Sequence, residues 1–211
     1  QLFHLSVYEQ LKFSDDQTTS VLTLGMTQQL NIQEGPVQWD RVGVFSHIDT
    51  DFKISDPSLL KLTTDNKKDT FTIQCIHTGT QLITVDTKHT IPIQDSTTTS
   101  LSLTRRVECH HPSETELLIN DQLTPQVYSR TGDILNVKLL VFLYNDNRNR
   151  LQIQSPKDLF HFKFSFNDKC AELIRQDGNE AQLRILESEC EFVLRGEIAG
   201  YKVPKSLSKR S

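Results

Sequence analysis

The chain has 211 residues, 36% hydrophobic and 24% charged, with a mean hydropathy of −0.42, the balance of a folded globular chain rather than a disordered one. The formal charge of −4 divides into 9 basic and 13 acidic residues through Glu108 and 14 of each after it. No basic stripe marks a nucleic-acid or anionic-membrane surface. The longest apolar run, Leu139–Tyr144, is far short of the ~20 residues that a spanning helix requires, so this segment is expected to make no membrane contact. With its single Met at position 26 and no leader-like start, the chain reads as a piece of something larger.

Ala occurs 3 times and Thr 21 times. Ala is the best helix former and Thr is β-branched, so this balance predicts an all-β protein. In chain order, strands are expected at Leu2–Val7, Val21–Leu24 and Gln29–Gln33. Gly35-Pro36 then leads to Trp39, the sole Trp, which reads as a core plug. Asp49-Thr50-Asp51, with Asp40 and Asp56 nearby, has the carboxylates calcium prefers but lacks the EF-hand Gly and Glu. A solvated loop is the better reading. Thr70–His77 sets Phe71, Ile73 and Cys75 on one face, Thr78-Gly79-Thr80 turns, and Gln81–Asp86 returns, which predicts a hairpin.

After a strand at Leu101–Val107, alternation stops at Cys109-His110-His111-Pro112-Ser113. The domain seam is placed there, giving units 1–108 and 109–211. Adjacent strand residues point apart, so only Cys109 and His111 of this cluster can share a face. With no second pair at zinc spacing, a polar hinge is favoured over a metal site. Further on, Leu135, Val137, Leu139, Val141 and Leu143 line one face of a strand whose end also carries Leu140, Phe142 and Tyr144 on the other. Asn145–Arg150 reads as a turn. Phe160, Phe162, Phe164 and Phe166 alternate with polar residues along a half-buried strand. Only Asp168–Arg175 has any helical periodicity, and its stripe ends within two turns. Strands at Gln182–Leu186 and Cys190–Tyr201 complete a fold read as two tandem Ig-like β-sandwich domains.

No Gly-x-Ser-x-Gly, His-Glu-x-x-His, phosphate loop or dinucleotide fingerprint occurs. No catalytic residue, cofactor or metal ligand is therefore assigned. The even set Cys75, Cys109, Cys170 and Cys190 suits disulfides in an oxidising compartment or buried thiols in a reducing one.

One ordered set of residues carries a resemblance. It comprises Val7-Tyr8 with Leu11, Leu24-Gly25, Gln28-Gln29-Leu30-Asn31, Gly35-Pro36 and Trp39. It continues through Thr70–Cys75, Gly79-Thr80-Gln81 with Leu82 and Thr84, and Cys109-His110-His111-Pro112, to Gly200-Tyr201-Lys202. In this order and at these intervals the chain resembles a luminal segment of the nuclear pore membrane glycoprotein 210 family. The looser pattern of strand, Asx-rich turn and Gly hairpin also resembles bacterial Ig-like adhesin modules.

The first resemblance implies a type I membrane protein of the nuclear envelope, anchored by a span outside this segment, with luminal Ig-like domains that build a ring around the nuclear pore complex. Expected partners are neighbouring copies of the same protein, associating weakly in isolation, and other nuclear pore proteins. Glycosylation is a family trait, yet no Asn-x-Ser/Thr is present here. In an oxidising lumen the expected bridges fall within each half of the cysteine list, Cys75 with Cys109 across neighbouring strands and Cys170 with Cys190. The acidic first half makes Asp49 and Asp51 candidate interface residues. The competing functional reading is an Ig-like adhesion or receptor module that binds a protein or carbohydrate.

Overall fold

The computed structural model describes residues 9–36, 40–41, 44–64, 69–92, 97–124, 126–187 and 189–202. The expected strand at Leu2–Val7 and the position of Trp39 lie outside these. The chain divides into units Gln1–His110 and His111–Ser211, two residues beyond the expected seam, because the last strand of the first unit runs on through Cys109 and His110.

The first unit contains β1 (Lys12–Phe13), β2 (Thr19–Thr23), β3 (Thr27–Gln33), β4 (Asp40–Arg41), β5 (Val44–Phe45), β6 (His47–Ile54), β7 (Leu60–Thr64), β8 (Thr70–Cys75), β9 (Gly79–Ile91) and β10 (Thr97–His110). They form two four-stranded sheets, β1-β3-β8-β7 and β2-β10-β9-β6, beside a β4-β5 ribbon. Among the described strands only β2, pairing with β10, runs parallel to its neighbour. The first sheet has the strand order A-B-E-D of an immunoglobulin sandwich, and β6-β9-β10 has the order C-F-G.

Alternation makes this core. Along β8 the buried residues are Phe71, Ile73 and Cys75, separated by half-buried polar ones. They meet Ile83, Val85, Val107 and Cys109 from the opposite sheet. At roughly 25 cal/mol per Å² of apolar surface, such interdigitated faces hold the layers together.

Two expectations are corrected here. β8 and β9 do not form a hairpin, since β8 lies between β3 and β7 while β9 lies between β10 and β6. The chain crosses between layers because Ile76 and His77 both donate backbone N–H bonds to the Leu59 carbonyl, and Gly79, at φ +146°, turns against the Leu59 side chain. The Cys75–Cys109 bridge, with Cα atoms 5.8 Å apart, therefore spans the two sheets rather than neighbouring strands. It also places Cys109 in the first unit.

The second unit contains β11 (Glu114–Ile119), β12 (Ile134–Tyr144), β13 (Arg150–Gln152), a one-turn helix α1 (Pro156–Leu159), β14 (Phe160–Ser165), β15 (Ala171–Asp177), β16 (Glu180–Ile185) and β17 (Arg195–Tyr201). The order β11-β12-β16-β15 again matches A-B-E-D, with β14-β17 as the second layer. All five inward residues of β12 from Leu135 to Leu143 are buried, as are Phe160, Phe162 and Phe164. On the reverse face, Phe142 is covered by the Arg150 guanidinium, 3.6 Å above its ring, and Arg150 is held there by Glu114 and Glu116. Residues 145–149 do turn the chain, with Arg148 at φ +62° and Asn145 Oδ1 accepting from the Asn149 N–H.

The helical periodicity at Asp168–Arg175 is also corrected. After a turn at residues 168–170 the segment enters β15 at Ala171, which pairs with β16 through a register shift between Leu173 and Arg175, and that bulge displaces the apolar residues from strict alternation. Cys170, just before β15, is joined to Cys190, just before β17, with Cα atoms 5.5 Å apart.

Candidate interaction surfaces

Asp49 and Asp51 project from β6. Its side chains alternate between exposed and half-buried, and it pairs only with β9 among the described residues. Both carboxylates are 70% exposed. His47 Nε2 lies 3.7 Å from Asp49. Asp51 sits opposite Asp86 in the ladder, and Lys53 Nζ bridges that like-charged pair, 2.6 Å from Asp86 and 4.0 Å from Asp51. The hydrogen bond and charge of Asp86 raise the Lys53 ammonium above its ordinary value, and Lys53 in turn lowers Asp86. A strand edge charged in this way resists pairing with another edge while presenting negative charge to a basic surface.

These carboxylates do not converge with the others noted in the sequence. Asp56 accepts hydrogen bonds from the Ser58 N–H and hydroxyl at 2.8 and 2.7 Å, an Asx turn that lowers its own carboxyl. Asp40 contributes backbone to β4.

At the seam, Cys109 is bonded to Cys75 and offers no thiolate, so it and His111 cannot act together as metal ligands. Within the first unit, buried Glu108 accepts from Arg106 Nε at 2.9 Å and lies 3.4 Å from His110 Nε2. In the second unit, His111 Nδ1 is 2.7 Å from the Tyr201 hydroxyl, with the two rings edge-on at 6.0 Å. Phe160 packs on the same tyrosine at 5.2 Å, and burial raises the Tyr201 phenol. The second unit's first motif residue and its closing Gly200-Tyr201 are thus brought together.

Sequence reasoning missed a groove of about 750 Å³ in the second unit. Its floor includes Leu117, Ile119, Leu135 and Ile185, and its walls are Thr124, residues 126–129, Glu187 and residues 189–194. Glu187, Glu189 and Glu191 are its charged lining residues; no Lys or Arg lines it among the described residues. The available signal was Glu-x-Glu-x-Glu leading into Phe192-Val193-Leu194. That period-2 run has an acidic face, of which the expected strand Cys190–Tyr201 takes in only Glu191. A second recess, about 360 Å³, lies over β12, β15 and β16, but its polar groups satisfy one another, as in Lys138–Glu180 at 2.8 Å and Gln182–Asn136 at 3.0 Å.

No protein-family model and no curated protein matches the chain. Solved structures do match over most of its length. The S-layer protein rSbsC(31-844) aligns with 90% of this chain and 22% of its own, at 10% identity and TM-score 0.38. Domains 5-6 of the S-layer protein SbsC align with 90% and 91%, at 12% identity and TM-score 0.37. The titin Ig tandem A164-A165 aligns with 92% and 97%, at 11% identity and TM-score 0.27. The chain spans less than a third of the longer S-layer chains it matches. The fold reading stands on the chain's own strand orders, which make it an all-β tandem of Ig-like sandwiches.

Proposed function

We propose that this chain is a non-catalytic structural segment of the luminal part of a nuclear pore glycoprotein of the 210 family. In that reading it contributes to the luminal ring scaffold around the pore, and its parent chain is membrane-anchored elsewhere. The observation that carries the proposal is that each Ig-like unit is closed by its own disulfide, Cys75–Cys109 and Cys170–Cys190. Such bridges persist in an oxidising lumen and not in the cytosol. Among the described residues no helix is long and apolar enough to cross a membrane.

The residues of the resemblance support the same reading by what they do. Gly25 turns β2 into β3 at φ +79°. Gly35, at φ +89°, has no room for a side chain, since a Cβ would lie 2.8 Å from Leu11 Cδ1. In this scaffold the partners are neighbouring copies and other pore proteins, met through modest and repeated contacts.

Imaging the parent protein tagged in its luminal portion, with protease protection to fix the side of the membrane, tests the assignment. Nuclear-rim signal protected by the envelope is expected. Signal at the cell surface would overturn it in favour of an adhesion or receptor module, the reading that the open groove in the second unit favours.

A further inference from the structure

We propose that the groove of the second unit, with the adjoining stretch Cys190–Leu194, is a strand-addition site that takes an extended segment of a partner protein in which apolar and basic residues alternate. The inference does not depend on the nuclear pore assignment. Three observations converge on it.

The first is unpaired backbone. From 189 to 200 the side chains alternate between exposed and half-buried without a break, so 190–194 continues the strand geometry of β17 toward its N-terminal side. The ladder does not follow, because β14 pairs with β17 only from Ser165↔Arg195 onward. Among the described residues, 190–194 make no backbone–backbone hydrogen bond, and 123–124 and 126–129 across the groove make none either. The Cys170–Cys190 bridge pins this stretch at its start, and its N–H and C=O groups have no backbone partner among the described residues. Backbone polar groups favour pairing, and an extended peptide supplies it.

The second is shape and exposed apolar surface. The β17 edge away from β14 has no strand partner among the described residues. The groove is bounded by the stretch that leads into β17, Cys190–Leu194, and is floored by Leu117 and Ile119 of β11. Tyr128 is 88% exposed and Val193 is 70% exposed at its rim. Thr124, in its wall, has a buried hydroxyl with no hydrogen-bond partner among the described residues.

The third observation selects the occupant. Glu187, Glu189 and Glu191 line the groove with no Lys or Arg among its described lining residues. Glu191 stands on the outward face of the strand-like stretch, while Phe192 and Leu194 are half-buried. An added strand in register sets its alternate residues beside Phe192 and Leu194, over the apolar floor, and its outward residues beside Glu189 and Glu191, with Val193 next on the same face. The matching sequence is therefore alternating apolar and basic, since opposite charges across a strand pair attract and like charges repel.

The test uses the full chain and a fluorescein-labelled eight-residue peptide alternating Val and Lys, with fluorescence anisotropy for affinity and amide hydrogen exchange for location. Binding is expected, with new protection of the 190–195 amides. It should weaken at least tenfold for a peptide alternating Val and Glu, for a peptide with Pro at the Val positions, and for the chain carrying Glu187→Lys, Glu189→Lys and Glu191→Lys. These glutamates are exposed, and an unchanged melting temperature shows that the variant is folded. Equal binding of the Val/Glu peptide, or binding without protection at 190–195, would overturn the proposal. So would protection of those amides already present in the unliganded chain, which would mean that its own residues or a second copy fills the site; dilution separates those two cases.

Discussion

Arg105 heads the large side chains fully enclosed by the protein, and each of its three nitrogens donates a hydrogen bond. Nε donates to the Ser20 hydroxyl at 2.6 Å, and the two terminal nitrogens donate to the two Asp15 oxygens at 2.6 and 2.8 Å. The guanidinium also lies 5.1 Å from the centre of the Phe13 ring. Its hydrogen bond holds the Asp15 carboxyl below the usual carboxylate value. Removing one partner of a buried pair costs about 3–5 kcal/mol. Asp15 is about one-third exposed, so water replaces part of what is lost, and Asp15→Asn should cost about 2–3 kcal/mol, measured by urea unfolding.

His89, 1% exposed on β9, has its imidazole pushed down by burial. The unfolded imidazole titrates near 6.5 and the unfolded carboxyl near 3.9. Both folded values are depressed, so the unfolded state binds more protons between each pair of values. The His89 contribution is complete above about pH 6.5 and is lost as pH falls through its folded value; that of Asp15 is complete above about pH 3.9 and is lost on further acidification. Unfolding midpoints of the first unit should therefore fall between pH 7 and 5, and His89→Gln should flatten that slope.

At the scale of elements, the layer β14-β17 closes the second core. Phe162 and Phe164 are both 9% exposed. A Cβ on Gly196 of β17 would lie 2.9 Å from Leu139 Cδ1, 3.1 Å from Leu117 Cδ1 and 3.2 Å from the Phe164 ring. Phe164→Ala should therefore cost about 3–5 kcal/mol through lost burial and a cavity, read as a lower melting temperature of the second unit. Gly196→Ala tests the same contact from the other side and should destabilise by about 1–3 kcal/mol through overpacking. The pair Cys170→Ser and Cys190→Ser, opening a loop of separation 20, should cost about 3 kcal/mol in differential scanning calorimetry.

The strands β12 and β14 were legible because apolar residues recur at every second position along each, and that period is a local property. The layer assignment of β8 and β9 was not legible. A three-residue turn with Gly looks alike whether it folds a strand back beside its partner or sends it across the core, and hydrogen bonds to Leu59, far away in sequence, decide between the two. β15 was obscured by its bulge. The groove was hidden for a related reason: Cys190–Tyr201 has one periodicity throughout, but β14 is long enough to pair with only its second half. Periodicity reports which way side chains face, not whether a neighbour is there to bond.

For the whole molecule, association follows from where charge lies. The first half carries the acidic excess, and its β6 edge shows Asp49 and Asp51 to solvent. Two such edges repel, so a symmetric contact through them is disfavoured, while an acidic edge meeting the charge-balanced second unit of another copy is not. The groove's own glutamates exclude it as the receiving surface for β6, and the recess over β12, β15 and β16, where Asp121, Asp177 and Glu180 outnumber Lys138 and Arg175, is no better, which leaves the other faces of the second unit. A contact between unlike surfaces repeats head to tail, and it closes into a ring when the rotation permits. Each contact in such an array can be weak, because many act together. The isolated chain should accordingly be mostly monomeric at micromolar concentration, with weak association that fades as salt rises and is lost on combining Asp49→Lys with Asp51→Lys. Sedimentation velocity across a salt series measures this. A tight two-fold dimer, indifferent to salt and to the charge reversal, would show instead that like surfaces meet through apolar burial, and the head-to-tail arrangement would have to be given up.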